Sequence, residues 1–531
     1  EVLLHAKRSM AGDGRGNDSL AVEYSREGGL RAQDRRFASR DYAVFLPDPL
    51  EFEGDDPDVP DNFPFVGVAY ANSARSGAIF VASDGEYDEL PDFTGDGEQW
   101  DFGEREQLPD GWPISPGYQI GGSGTPYSDY NPDLLPDDKR ATANVFLTYD
   151  VAPKARLFAD FKFSRGDAHY LYQPTFDFDF PLVFTPDNPY MPESIADASE
   201  GELVYMTRDN FDLGFTGSDV LRETRRGVLG VGGQLRDHLK YEVSFVFGET
   251  ETRSDDFNNR LSDRYAAAMD AVVDPDTGEI TCRSNLEPDV VPLNLDPDFN
   301  EGFLTFEPLP GTWAGSFQPG SGCVPINLFG EGSISPEAAA WINATTRATS
   351  VIEQQVAQAY VSGNSTGWLD LPAGPVGFAG GIEWREEKSS STPSEVDQLG
   401  LGWGNFLQPE RGSYDVTEVF AEVSIPLLQD RPGFQTLAID GAIRFSEYST
   451  IGSATTWKGG LVWAPVRDVS FRGTIAQATR APNISELFAP AGQTFEFIDD
   501  PCDRTRLDEG TEFRAGNCAE VLEALGLDPD T

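Results

Sequence analysis

The sequence predicts an all-β protein, an antiparallel transmembrane β-barrel with long extracellular loops. Three observations carry this expectation. Apolar and polar residues alternate with period two in successive segments. Tight turns alternate with long, acidic, Pro/Gly-rich connections. No apolar run approaches the ~18 residues of a membrane helix, yet aromatics reach 12%, too many for a disordered acidic chain.

The alternation is clearest over residues 141–151. There Ala141, Ala143, Val145, Leu147, Tyr149 and Val151 interleave with Thr142, Asn144, Thr148 and Asp150, with Phe146 the exception. After a brief turn at Pro153, the set Ala155, Leu157, Ala159, Phe161 and Phe163 alternates with Arg156, Asp160, Lys162 and Ser164. Period two with one greasy face is the pattern of a half-buried strand. A second hairpin runs from Leu229, Val231 and Leu235 through Asp237-His238 into Tyr241, Val243, Phe245 and Phe247. A third pairs about 353–370 with 376–387 across Leu371–Pro375. In the fourth, Val419, Ala421, Val423 and Ile425 turn through 426–433 into Leu437, Ile439, Ile443 and Phe445. The last joins Trp457, Leu461 and Trp463 through Ala464–Asp468 to Val469, Phe471 and Ile475.

The connections decide the architecture. Each tight turn is followed by a longer excursion: residues 166–225, 248–350, 388–414 and 479 onward, with only Ser449–Ser453 short on that side. Outer-membrane barrels segregate short and long loops in this way, and a closed wall satisfies every backbone polar group in lipid. A secreted β-sandwich would use the same alternation to bury one face against a second sheet. Its opposite faces would not carry so many ionisable groups, and these loops are long for a compact sandwich.

Charge and residue types narrow the function. The 531 residues hold 39 Lys plus Arg and 89 Asp plus Glu, a formal charge of −50. Such a field repels phosphate backbones, so nucleic acid is excluded as a partner. From Asp48 to Asp138 there are 22 acidic residues against Arg75 and Arg105. They read as solvated, mutually repelling loops, the alternative being attraction of cations or divalent bridging to anionic surface lipids. Only His5, His169 and His238 occur, none with a second ligand at zinc spacing. Gly363-Asn364-Ser365-Thr366-Gly367 matches the serine-hydrolase elbow, but no histidine follows Ser365 to activate it. No other catalytic constellation is present, and an enzyme is not expected.

Asp92, Thr94, Asp96 and Gly97 resemble the start of an EF-hand loop, but the twelfth position is Gly103, with Glu104 one residue late. No cofactor and no dedicated metal site are therefore expected, beyond a weakly held calcium in the acidic loops. Asp274-Pro275-Asp276-Thr277-Gly278 reads as a turn with Gly at positive φ. The loop aromatics Trp112, Tyr118, Tyr127, Tyr130, Trp313 and Phe317 are the candidate ligand-binding residues, since such rings stack on sugars or planar chelates; loop packing would use them equally well. Four cysteines, Cys282, Cys323, Cys502 and Cys518, permit three pairings, of which the sequence-local one closes the shortest loops.

Ala478-Thr479-Arg480-Ala481-Pro482-Asn483-Ile484-Ser485-Glu486-Leu487-Phe488 resembles the R-A-P-N-x-x-E-L-F segment of TonB-dependent outer-membrane receptors. Tyr414–Ile425 resembles the strand before it. Gly322–Gly330 with Cys282 upstream, and Asp500-Pro501-Cys502 through Cys518, are similar to two cystine loops of a proteobacterial subgroup. The resemblance covers about residues 140–525. It implies Cys282–Cys323 and Cys502–Cys518 disulfides, a 22-stranded barrel with a plug, and a Gram-negative outer-membrane location. It also implies uptake of a scarce ligand of the oligosaccharide or metal-siderophore class. The implied partners are outer-membrane lipid, the transported ligand, and TonB with its inner-membrane energising complex, reached through an N-terminal region. A passive porin-like or adhesin barrel is the alternative. No plug segment and no terminal aromatic strand are recognisable, so residues 1–531 are read as a partial barrel domain.

Overall fold

A computed structural model describes residues 2–8, 14–38, 42–45, 63–81, 91–103, 118–287, 290–295 and 320–492. It also describes 502, 507, 510–511 and 513–524. The chain divides into two compact units, Glu1–Ala491 and Gly492–Thr531. The second contains the helix Arg514–Ala524 and the Cys502–Cys518 disulfide.

The first unit is built on one twelve-stranded sheet in which every neighbour is antiparallel and follows in sequence order. Its strands are β1 (Val2–Arg8), β2 (Gly16–Glu27), β3 (Asp137–Ala152), β4 (Ala155–Pro174), β5 (Phe215–Arg236) and β6 (Leu239–Arg260). They continue as β7 (Asn343–Asn364), β8 (Gly377–Thr392), β9 (Glu410–Arg431), β10 (Phe434–Tyr448), β11 (Gly452–Val466) and β12 (Val469–Gln477). An up-and-down order with hairpin neighbours is the topology of a barrel wall.

Register carries the predicted alternation across the sheet. Val145 faces Phe161, Phe161 faces Gly227, Leu229 faces Phe245, and Phe245 faces Ala357. Farther along, Ile382 faces Val419, Val419 faces Phe445, and Ile443 faces Trp457. All of these fall on one face. Leu147, Phe161 and Phe163 stand 37%, 47% and 42% exposed, so no second sheet covers them and the sandwich is excluded. The other face carries Asp160 opposite Phe146, Lys162 opposite Asn144, and Gln358 bonded to Glu383 at 3.3 Å. Glu418 lies there too, accepting from Arg444 at 2.8 Å and Ser446 at 2.5 Å. The apolar face is the lipid side of the wall and the polar face lines its lumen. Among the described residues no helix is long and apolar enough to cross a membrane.

The strands are longer than the apolar pattern. β5, β6, β7 and β9 have 22 residues each, roughly 70 Å along the strand at ~3.3 Å per residue. Even tilted, that is about twice the ~25 Å apolar band of such a wall. Beyond the band both faces turn polar while pairing continues, as in Arg225 opposite Glu249 and Thr224 opposite Thr250. The excursions expected over 166–225, 248–350 and 388–414 therefore shrink to 175–214, 261–342 and 393–409. Ladder hydrogen bonds hold strands in water once the neighbours are in register; hydropathy records only where lipid begins. The sequence expectation also contained no counterpart of β1 and β2, whose Leu20, Val22 and Tyr24 continue the apolar face beside Val145, Ala143 and Ala141.

The well-buried apolar core sits in the long connections, not in the wall. Residues from 28–136, 175–214 and 261–342 pack into one cap. In it Phe176–Phe184 pairs with Val204–Asp209, which pairs with Ala78–Val81, which pairs with Phe93–Thr94. Ile79, Leu182, Ile195, Met206, Met269, Ile326, Leu328 and Ile342 are fully buried there. The helix Pro336–Ile342 begins because Ser335 caps it, accepting from the Ala338 amide at 3.1 Å, with Pro336 at its first position. The Cys282–Cys323 disulfide lies inside this core. Both local pairings implied by the resemblance are thus formed.

Candidate functional site

The cap brings three of the candidate aromatics into one cluster. Val68–Tyr70 pairs antiparallel with Tyr118–Ile120, which sets Tyr70 directly opposite Tyr118. Their rings stack at 5.4 Å between centroids. A single turn of 3-10 helix, Tyr127–Tyr130, then delivers Tyr127 at 5.8 Å and Tyr130 at 5.3 Å from Tyr70. Gly124 makes this turn close: a Cβ there would lie 1.8 Å from the Tyr70 carbonyl oxygen. Tyr130 leads on to Phe211 at 5.3 Å, and the Arg75 guanidinium lies 4.0 Å over the Phe211 ring. Arg75 is ion-paired to Asp129 and, at 3.5 Å, to Glu331.

Tyr70, Tyr118 and Tyr127 are half-buried and keep part of each ring accessible, whereas Tyr130 is buried. Burial, then the neighbouring Tyr127, pushes the Tyr118 phenol above its ordinary pKa. Burial, then the Asp209 carboxyl, does the same to Tyr130. Both hydroxyls therefore remain neutral hydrogen-bond donors at physiological pH. Beneath them Asp209 accepts from Ser73 Oγ at 2.8 Å. Burial drives the Asp209 carboxyl above the usual carboxylate range, against the hydrogen bond from Ser73 and the neighbouring Arg208 charge. Trp112, Trp313 and Phe317 lie outside the described residues. Tyr70, Phe211 and Arg75 were not among the candidates, and the one signal that could have found Tyr70 is the Val-Ala-Tyr strand opposite Tyr118.

The cluster rests on a stiff base. Arg208 is fully buried and uses all five of its N–H donors. Nε donates to the Leu328 carbonyl at 3.0 Å and Nη2 to Gly330 at 3.1 Å. The rest go to Asn210 at 2.9 Å and to both carboxylate oxygens of Asp212 at 2.9 and 2.7 Å. Next to it Arg260 grips Asp177 bidentately at 2.6 and 2.7 Å, with Tyr265 under its guanidinium at 4.1 Å. Fork-to-carboxylate geometry fixes orientation as well as charge, so the connections 175–214 and 261–342 are locked to each other and to the end of β6.

The remaining motifs resolve into structure. Asp92 Oδ2 accepts from the Val81 amide at 2.9 Å, while Gly97 takes φ +80° in the following turn. Asp274 closes the expected turn, accepting from the Asp276 amide and Thr277 Oγ1, both at 2.8 Å, with Gly278 at φ +74°. In the Arg480–Phe488 segment, Asn483 and Glu486 form a reciprocal capping box for the helix Ile484–Phe488. Arg480 donates to Glu486 at 3.0 Å. That helix lies against β9 at Gly412, where a Cβ would meet the Phe488 ring at 2.3 Å.

Residues 294–501 match the family model described as TonB dependent receptor-like, beta-barrel. No curated protein sequence matches the chain. Three solved structures of variants of the ferric enterobactin receptor of Pseudomonas aeruginosa, one in complex with enterobactin, are similar to it. Identities are 12%, 11% and 12%, coverage of this chain 88%, 91% and 91%, and TM-scores 0.38, 0.40 and 0.32. The chain spans 40%, 41% and 44% of the length of those structures. The matched segment runs from the cap through β7 to the Arg480–Phe488 motif, on a wall with one lipid-facing apolar side. Over residues 294–501 the chain is thus similar to the β-barrel of TonB-dependent receptors, a likeness that agrees with a wall whose apolar side faces lipid.

Proposed function

We propose that this chain supplies the wall and the ligand-gripping cap of a receptor that takes up a scarce ligand with TonB-coupled energy. The observation that carries the reading is the Tyr70, Tyr118 and Tyr127 cluster, three half-exposed tyrosine rings brought together on the cap. Rings of this kind stack on sugar rings or on planar metal chelates, and their hydroxyls add directional donors. The formal charge of −50 favours a neutral oligosaccharide or metal chelate over a polyanion, within the ~8 Å that salt leaves unscreened. The disulfide and the Arg208 clamp order the cap in advance, which lowers the entropic cost of binding. Energy coupling would pass through TonB and its inner-membrane complex.

The test is binding and uptake by the full-length receptor. Replacing Tyr70, Tyr118 and Tyr127 together by Ala should weaken binding by tens-fold or more, at ~0.5–1.5 kcal/mol per lost aromatic contact. Unchanged affinity would remove the cluster from recognition. Uptake that persists after collapse of the proton gradient would replace coupled transport by a passive barrel.

A further inference from the structure

The longest connection on the short-turn end of the wall joins β7 to β8. Connections 153–154, 237–238, 432–433 and 467–468 are two residues long, but β7 and β8 are joined by residues 365–376. This is where the hydrolase-like Gly363–Gly367 motif falls, and its serine is a lock. Ser365 is fully buried. Its Oγ accepts from the Val376 amide at 2.8 Å and donates to the Leu369 carbonyl. Its backbone N–H donates to Val376 at 2.9 Å, and its carbonyl accepts from the amides of Trp368 and Leu369 at 3.1 and 3.0 Å. Asn364 Oδ1 accepts from the Thr366 amide at 3.1 Å, and Asp370 Oδ2 from that of Gly367 at 3.2 Å.

The turn is rigid, yet it holds Trp368 72% and Leu369 46% exposed. The apolar face leads directly to it. Gly363, the last apolar-face position of β7, lies opposite Leu239 on β6 and Phe378 on β8, and Phe378 lies opposite Val423. A ring held just past the end of a lipid-facing band reaches the head-group layer, where an indole can bury its body and keep its N–H wet.

We propose that Trp368, with Leu369, is a membrane anchor that inserts into the phospholipid interface on the short-turn side and fixes the vertical position of the β7–β8 hairpin. The occupant is the lipid continuous with the apolar face. A soluble protein docking on the same tip is the outcome that overturns the proposal.

All four cysteines of the chain are paired, so Trp368→Cys adds the one free thiol within residues 1–531. The full-length receptor carrying it, labelled with an environment-sensitive fluorophore, is reconstituted in phosphatidylcholine vesicles with and without lipid-borne spin label. Asp237→Cys, in the tight β5–β6 turn, is the reference. The label at 368 should emit to the blue of the label at 237. Its ratio of lipid-borne to water-soluble quenching should be several-fold higher. Equal ratios, or preferential quenching from water, would place the tip in solution and refute the anchor. Trp368→Phe checks the result without a label. The emission lost relative to the parent should be the part quenched by brominated lipid, and loss of an acrylamide-quenched component instead would overturn the proposal.

Discussion

The Cys282–Cys323 disulfide closes a loop with a sequence separation of 41 inside the cap core. Replacing both cysteines by Ala keeps the site apolar and removes only the cross-link. On the chain-entropy estimate, a loop of that length restrains the opened state by about 4 kcal/mol at 25 °C. The hydrogen bond from the Ile326 amide to the Ala268 carbonyl, 2.9 Å, ties the chain just beyond Cys323 to the helix Ser262–Met269. Ile326 is itself fully buried, so its amide exchanges only when the cap opens. At about 1.4 kcal/mol per tenfold, loss of the cross-link should accelerate its exchange by up to roughly a thousandfold. Wall amides around Phe245 and Ala357, paired between β6 and β7, should exchange at unchanged rates. Hydrogen–deuterium exchange on the full-length receptor, oxidised parent against double variant, reads both at once. Acceleration below about tenfold at Ile326 would mean that packing and the Arg208 clamp alone keep the cap closed. Equal acceleration in the wall would mean that cap and wall open as one unit. Either result refutes the reasoning.

Three further outcomes follow from the structure. Phe161→Arg, on the apolar face, should cost ~2–4 kcal/mol in a folding titration from denaturant into lipid, and Asp160→Asn, one residue away on the polar face, well under half of that; similar costs would reverse the assignment of faces. Arg260→Met should destabilise the cap by ~3–5 kcal/mol by leaving Asp177 charged and buried, while adding Asp177→Leu should recover most of the loss; a double variant no better than the single would show that the pair does not act as a unit. Because burial raises the folded-state pKa of Asp209, the native cap retains a proton that the opened chain releases. Its stability should therefore fall as pH rises from the ordinary Asp value through the raised one, and Asp209→Asn should flatten that slope in near-ultraviolet circular dichroism melts; a slope of opposite sign, or one unchanged in the variant, would contradict the assignment.

Some of the candidate site was legible because local geometry defines it. Tyr127 and Tyr130 are three apart and one helical turn presents both to the same ring, and Asp274 with Gly278 forms a turn inside five residues. The cystine pairing followed from short loops and a family resemblance. Tyr70 and Arg75 were not legible: each acquires its role from segments about 50 or more residues away, Tyr118 and Tyr130 for the first, Asp129 and Phe211 for the second. Arg208 is a sharper case. Nothing in Met206-Thr207-Arg208-Asp209 marks an arginine that will be sealed from water, since its partners at Leu328 and Gly330 come from another connection.

What the sequence determined by itself is the wall from β3 to β12. Lipid is a uniform partner for the apolar side, so Leu147, Phe161, Phe245 and Phe445 need no complementary surface from elsewhere in the chain. Period two along each strand then suffices to set facing, strand order and the tight turns. What only the tertiary structure decided is where the strands stop and what the loops build. Above the band, ladder hydrogen bonds extend β5, β6 and β7 without any hydropathy pattern. In the cap, buried residues from three connections fill one core at no sequence period. A protein core must be completed by its own chain, and that information lies in contacts between segments rather than along any one of them.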